Sequence, residues 1–254
     1  MIQIIVAPPV LAELPISRSE CWQVLEQLIS RWYSPLTSTD GYERSRIQAA
    51  EDGLGVKFPA ALHEWLCLCG NRQDIWSQQD DVLKLDAFTI QDKMLLIGVE
   101  NQGVVLWGIR LCDCDLPDPP VYVDLRDSGG WVLDSMATTE FALSMFFSCV
   151  KWSRSLCCYA NGSATKEICQ FVRQLKSRLP FRPWHWPGFP TDFFGLSDAT
   201  IELNGDDEHG WLWVSTRTKS AFHEIEEWLR PTEIEWEAWS GEWPDGWGTT
   251  PNER

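Results

Sequence analysis

The hydrophobic period of this chain switches twice within its first 152 residues, and that limits the folds open to it. From Ser17 to Gly70 apolar residues recur every three or four positions. Over 82–133 they fall in short β-branched and aromatic runs divided by turn-formers, and from Phe141 to Trp152 the helical period returns. Helices and strands kept in separate blocks favour an α+β domain with a mostly antiparallel sheet over the alternating units of a parallel sheet.

Ser17 and Glu20 form a capping box ahead of Trp22, Leu25, Leu28, Ile29 and Trp32, so a first helix is expected, ending before Pro35. Ile47, Ala50, Glu51 and Leu54 mark a second, which Gly55 terminates. Pro59 opens a third, with Leu62, Trp65, Leu66 and Cys69 on one face and Gly70 at its end. Strands are expected over 82–85, 94–99, 104–111, 121–125 and 131–133, and Phe141, Leu143, Met145, Phe146, Cys149, Val150 and Trp152 mark a largely buried helix.

A second block begins near residue 153. Its expected parts are a polar loop over 159–163, a helix carrying Ile168, Phe171, Val172, Leu175 and Leu179, and a proline-aromatic connector over 180–190. A hairpin of 200–203 and 211–216 follows across an acidic loop, then a helix over 219–229 stopped by Pro231. The 254 residues thus divide into a domain over 15–152 and a smaller α+β extension over 153–254.

Charge narrows the partners. Net charge is −16, so the summed field repels phosphate backbones and anionic lipid, and neither nucleic acid nor membrane is an expected partner. The most apolar stretch, 141–150, is too short to span a bilayer and is interrupted by Ser144 and Ser148. The N-terminus has no basic residue before Arg18, unlike a secretory leader, and nine cysteines is an odd count that suits a reducing compartment. A cytoplasmic protein is expected.

Catalytic and metal chemistry find little support. Cys67/Cys69 and Cys112/Cys114 are spaced C-x-C, which on a helix turns the two sulfurs to different faces, although His63 lies one turn before Cys67. No G-x-S-x-G, H-E-x-x-H or P-loop is present, and the histidines are His63, His185, His209 and His223. The expectation is no catalytic residue, no metal and no cofactor.

Acid is concentrated late. Residues 200–254 hold thirteen Asp and Glu against four Lys and Arg, whereas 151–199 hold seven bases against three acids. Sixteen tryptophans are more than a core of this size needs, and several crowd the acidic tail. Aromatics among carboxylates suit a Lys- or Arg-rich partner, so Asp206, Asp207, Glu208, Glu233, Glu235, Glu237, Trp239 and Trp243 are the candidate partner-binding residues. Two other readings stand beside this one: the alternation in IEWEAW fits a half-buried strand, and the tryptophans could form a platform for sugars.

The run Glu51, Leu54, Gly55, Phe58, Pro59, Leu62, Trp65 and Leu66 resembles the signature of the SUKH superfamily of SMI/KNR-type domains. Later landmarks are similar too: Glu100-Asn101-Gln102-Gly103, then Trp107-Gly108-Ile109, then Pro119-Pro120-Val121-Tyr122 leading to Trp131. The resemblance covers roughly residues 15–150, and Phe58 stands where members usually carry Leu. It implies an α+β domain without catalytic residues that holds a protein partner. Many bacterial members are thought to be immunity proteins that neutralise toxin domains, often nucleases, while fungal relatives are regulatory scaffolds. Glu51, Gly55, Pro59, Trp65, Gly103 and Trp107 are expected to be mostly structural. The expected function is immunity to a basic toxin domain, with a regulatory scaffold and a Trp-rich carbohydrate-binding module as alternatives.

Overall fold

The computed structural model describes residues 10–126, 129–153, 158–206 and 208–240, without the side chains of 238–240. The chain divides into two compact units. One is Leu14–Ser153, and the other joins the segment before Leu14 to the chain from Arg154 onward. The architecture is α+β, with one antiparallel sheet in each unit.

In the Leu14–Ser153 unit the helices are α1 (Arg18–Trp32), α2 (Arg44–Leu54), α3 (Ala60–Cys69), the short α4 (Gln73–Trp76) and α5 (Thr138–Val150). The capping box of α1 forms as expected: the Ser17 hydroxyl accepts from the Glu20 backbone, and the Glu20 carboxylate accepts from Ser17 N at 3.1 Å. Strands β1 (Asp80–Val82), β3 (Met94–Glu100), β4 (Leu106–Arg110), β5 (Val121–Asp124) and β6 (Trp131–Ser135) lie side by side in that order, and β2 (Thr89–Gln91) also pairs with β3. Strand parity then sorts the side chains. Trp107 points towards α5, while Met94, Leu96, Leu106 and Tyr122 cluster on the opposite face, where Trp131 and Leu133 partly cover them.

All thirteen residues of α5 are buried. Phe141 meets Trp65 edge-on at 6.1 Å and Trp107 at 6.3 Å, and Trp65 meets Trp76 at 5.2 Å. Polar groups of α5 find partners within the helix and in the segments packed on it. Ser144 donates to the Glu140 carbonyl at 3.0 Å, Ser148 donates to Asp80, and Asp118 accepts from both the backbone and the hydroxyl of Thr139.

Arg72 ties the helices' connections together. Its guanidinium grips Asp74 through two 2.8 Å bonds and donates to the carbonyl and hydroxyl of Ser34, in the loop after α1. That grip holds the Asp74 carboxyl below the ordinary carboxylate range.

The second unit has strands β7 (Cys158–Thr165), β8 (Thr191–Gly195), β9 (Ala199–Gly205), β10 (His209–Thr216) and β11 (Ala238–Ser240), ordered β11-β7-β10-β9-β8. Helices α6 (Lys166–Arg173) and α7 (Lys219–Leu229) cover one face, packing Ile168, Val172, Phe222 and Ile225 on Ile201, Leu203, Leu212 and Val214. Phe171 and Trp228 stack at 4.8 Å between the helices.

Two expectations are corrected here. The polar loop over 159–163 is instead part of β7, next to the centre of the sheet. Its core face is Ala160, Gly162 and Ala164, residues too small to announce a strand, and Asn161-Gly162 has the composition of a turn. The helix expected to reach Leu179 ends at Arg173, although Leu175 and Leu179 are buried, while the connector over 180–190 carries no helix or named strand, as expected, and leads into β8, which the sequence did not announce.

Two tests follow from this core. Trp65→Ala removes a side chain that is 1 % exposed, and should cost about 3–5 kcal/mol, read as a lower midpoint in a denaturant melt. Asp74 has a depressed carboxyl, so its contribution is present above the unfolded pKa of about 4 and is lost as pH falls through the folded value. In Asp74→Asn, the fall in melting temperature between neutral and acid pH should be shallower than in the wild type.

A candidate protein-binding surface

The acidic end of the second unit is built by a reversal of the chain after α7. That helix is capped by Thr218, whose hydroxyl accepts from Ala221 N at 3.1 Å, and a short turn with Pro231 follows it. Glu233 takes a left-handed φ of 53°, which turns the chain back towards β7. The returning segment lies very close to the sheet. A Cβ at Gly162 would stand 2.3 Å from the Glu235 carbonyl oxygen, so only glycine admits it. Glu237 N then donates to the Asn161 carbonyl at 2.8 Å and β11 begins.

This placement sorts 233–237 by alternation. Ile234 and Trp236 pack on the core of the second unit, while Glu233, Glu235 and Glu237 are exposed. Trp236 is therefore a packing residue and not an exposed aromatic among carboxylates. The Glu237 carboxylate accepts from the Ser163 hydroxyl at 2.7 Å, whereas Glu233 and Glu235 make no ion pair among the described residues.

The hairpin loop between β9 and β10 is different. The Asp206 carboxylate accepts from the backbone of Glu208 at 2.8 Å and of His209 at 2.9 Å, and these bonds hold it below the ordinary carboxylate range. Glu208 pairs with Lys166, and Arg173 donates to the carbonyls of Gly205 and Asp206. The cations of α6 thus offset much of the loop's charge. β7 brings loop and strip near each other, because His209 faces Thr165 across one edge while Glu237 bonds Ser163 on the other. Asp207 and Trp243 lie outside the described residues, as does the side chain of Trp239.

The motif residues of the first unit are committed to packing and turns. Glu51 is 7 % exposed and accepts from Phe58 N at 2.6 Å, bracing the end of α2 against the start of α3. Gly55 and Gly103 both need a left-handed φ, of 68° and 72°, Pro59 is the N-cap of α3, and Trp65 and Trp107 flank Phe141. Six tryptophans, 22, 32, 65, 76, 107 and 184, are buried, so a good part of the tryptophan excess is core. Sequence reasoning missed Arg72, and it named Glu100 only as a landmark of the resemblance: Glu100 is 2 % exposed and accepts from Gln102 N at 2.8 Å in the β3–β4 turn. Their roles depend on partners distant in the chain or on turn geometry, and neither leaves a periodic signal.

The Cys67 sulfur lies 3.6 Å from His63 Nδ1, one helical turn away, a thiol beside an imidazole. Burial pushes the Cys67 thiol up and the Cys69 thiol up to about 12, which disfavours the thiolate that both catalysis and metal binding require. Among the described residues no group of three or more His, Cys, Asp or Glu is placed to hold a metal, and no helix is long and apolar enough to cross a membrane.

Comparison with protein-family models, with curated proteins and with solved structures finds no match to this chain.

The thiol environments set an order of reactivity. Under limiting iodoacetamide at neutral pH, peptide mass spectrometry should find the exposed Cys112 alkylated before Cys67, with Cys69 last. Modification of Cys67 ahead of Cys112 would instead show a thiol activated by His63.

Proposed function

We propose that this chain is a non-catalytic protein-binding module of the cytosol that neutralises a basic toxin domain, and that the outward row Glu233, Glu235 and Glu237 is its receiving edge. One observation carries the reading: these carboxylates stand on a backbone pinned to Gly162 and Asn161, with their apolar neighbours turned into the core. Charges that make no internal ion pair steer a cationic surface without the cost of breaking such pairs first. The hairpin loop contributes less, since Lys166 and Arg173 already face it. The SUKH resemblance of the first unit supports an immunity role, and the raised thiols support binding over chemistry.

The test is association with a toxin domain encoded beside this chain's gene, followed by stopped-flow fluorescence at low and high salt. Glu233→Lys, Glu235→Lys and Glu237→Lys together should slow the on-rate by about tenfold or more at low salt, with the gap closing as the Debye length shortens. Asp206→Lys with Glu208→Lys should slow it less. Folding should hardly change, since exposed charges contribute within about 0.5 kcal/mol. Equal on-rates for wild type and triple variant at every salt concentration would remove the strip as the steering surface.

A further inference from the structure

The Leu14–Ser153 unit carries its own unexplained surface where the N-terminal ends of α1 and α5 meet. Ile16 immediately precedes the N-cap of α1, and Met136 holds the same position before α5. An apolar residue there ordinarily folds back to pack on the fourth residue of its helix. Neither does so fully: Ile16 is 101 % exposed and Met136 57 %. Leu116, in the loop before β5, is 48 % exposed.

Asp118 draws the three together. It caps α5 through Thr139, lies two residues after Leu116, and sits close enough to Arg18 of α1 to interact with it electrostatically. The Cys21 thiol spans the same junction, bonding the Pro15 carbonyl beside Ile16 and reaching the Thr139 hydroxyl. The backbone is braced at each apolar site. Met136 N donates to Glu140 Oε2 at 2.8 Å, Leu116 N donates to the Asp113 carbonyl at 2.9 Å, and the neighbouring Pro117 carbonyl accepts from Ala61 N at 2.9 Å. Exposed aliphatics on a fixed backbone make a preordered contact, so little further entropy is lost on binding.

We propose that Ile16, Leu116 and Met136, rimmed by Glu20, Asp113 and Asp115, form a second docking surface for a segment of another protein that carries apolar residues flanked by Lys or Arg. The rim selects the occupant. A second copy of this chain would bring its own carboxylates against it, in a molecule of net charge −16, whereas a cationic flank satisfies the same groups. The proposal does not rest on the acidic strip of the second unit, which has no residue in common with it.

The probe is a model peptide with Leu at helical spacing and Lys elsewhere, titrated into the full chain carrying labelled Ile, Leu and Met methyl groups. Saturable shifts centred on Ile16, Leu116 and Met136 are expected, weakening as salt is raised. Affinity should fall about tenfold or more in the Ile16→Ser, Leu116→Ser, Met136→Ser variant, whose core methyl spectrum should match the wild type. The Glu233, Glu235 and Glu237 reversal should leave these shifts in place, which separates this surface from the strip. Four results would overturn the proposal: shifts confined to other sites, equal binding of a peptide with Glu in place of Lys, undiminished binding by the serine variant, or self-association of the chain relieved by Met136→Arg.

Discussion

Burial of a helix on every side is the constraint around which the Leu14–Ser153 unit is arranged. A soluble helix normally leaves one face to water, but α5 leaves none, so its surroundings must supply apolar contact all round and partners for every hydroxyl and carboxylate it carries. The helices α1, α3 and α4 pack on it from the N-terminal block, and Trp107 reaches it from the sheet. Phe141 therefore joins residues from parts of the chain far apart in sequence, and loss of one large ring there leaves a space that close-packed neighbours fill only in part.

The second unit solves a different problem, that of closing a sheet edge. β11 pairs with the outer edge of β7, and the segment leading into it passes so close to Gly162 that only glycine fits there. The strip's chemistry follows from this packing. With Ile234 and Trp236 drawn inward, Glu233, Glu235 and Glu237 are left outside. The hairpin loop has the same composition but another fate, because its carboxylates are used to close a turn and to hold α6.

The two surfaces share a logic. Each places negative charge on a braced backbone, the strip beside β7 and the Ile16, Leu116 and Met136 patch at a junction of helix ends. Their apolar components differ. The strip's aromatic neighbour Trp236 is half-buried against the core, so the strip would act mainly on the rate of encounter, whereas the patch exposes aliphatic surface able to slow dissociation.

Much of this was legible in the residues. The capping box of Ser17 and Glu20, the stop at Gly55, the hairpin across 205–210 and the buried character of α5 are local patterns, set by hydrogen-bonding groups or periodicity within a few residues. The acidic excess after residue 200 was equally plain from counting. Tertiary structure alone decided that 158–165 is a strand, since Ala160, Gly162 and Ala164 are chosen for the closeness of what covers them and carry no period strong enough to read. It decided likewise that Trp236 packs inward and that Lys166 and Arg173 face the hairpin loop. Sequence determines which groups are charged or apolar; which of them keep their charge free, or their surface bare, depends on neighbours brought in from far along the chain.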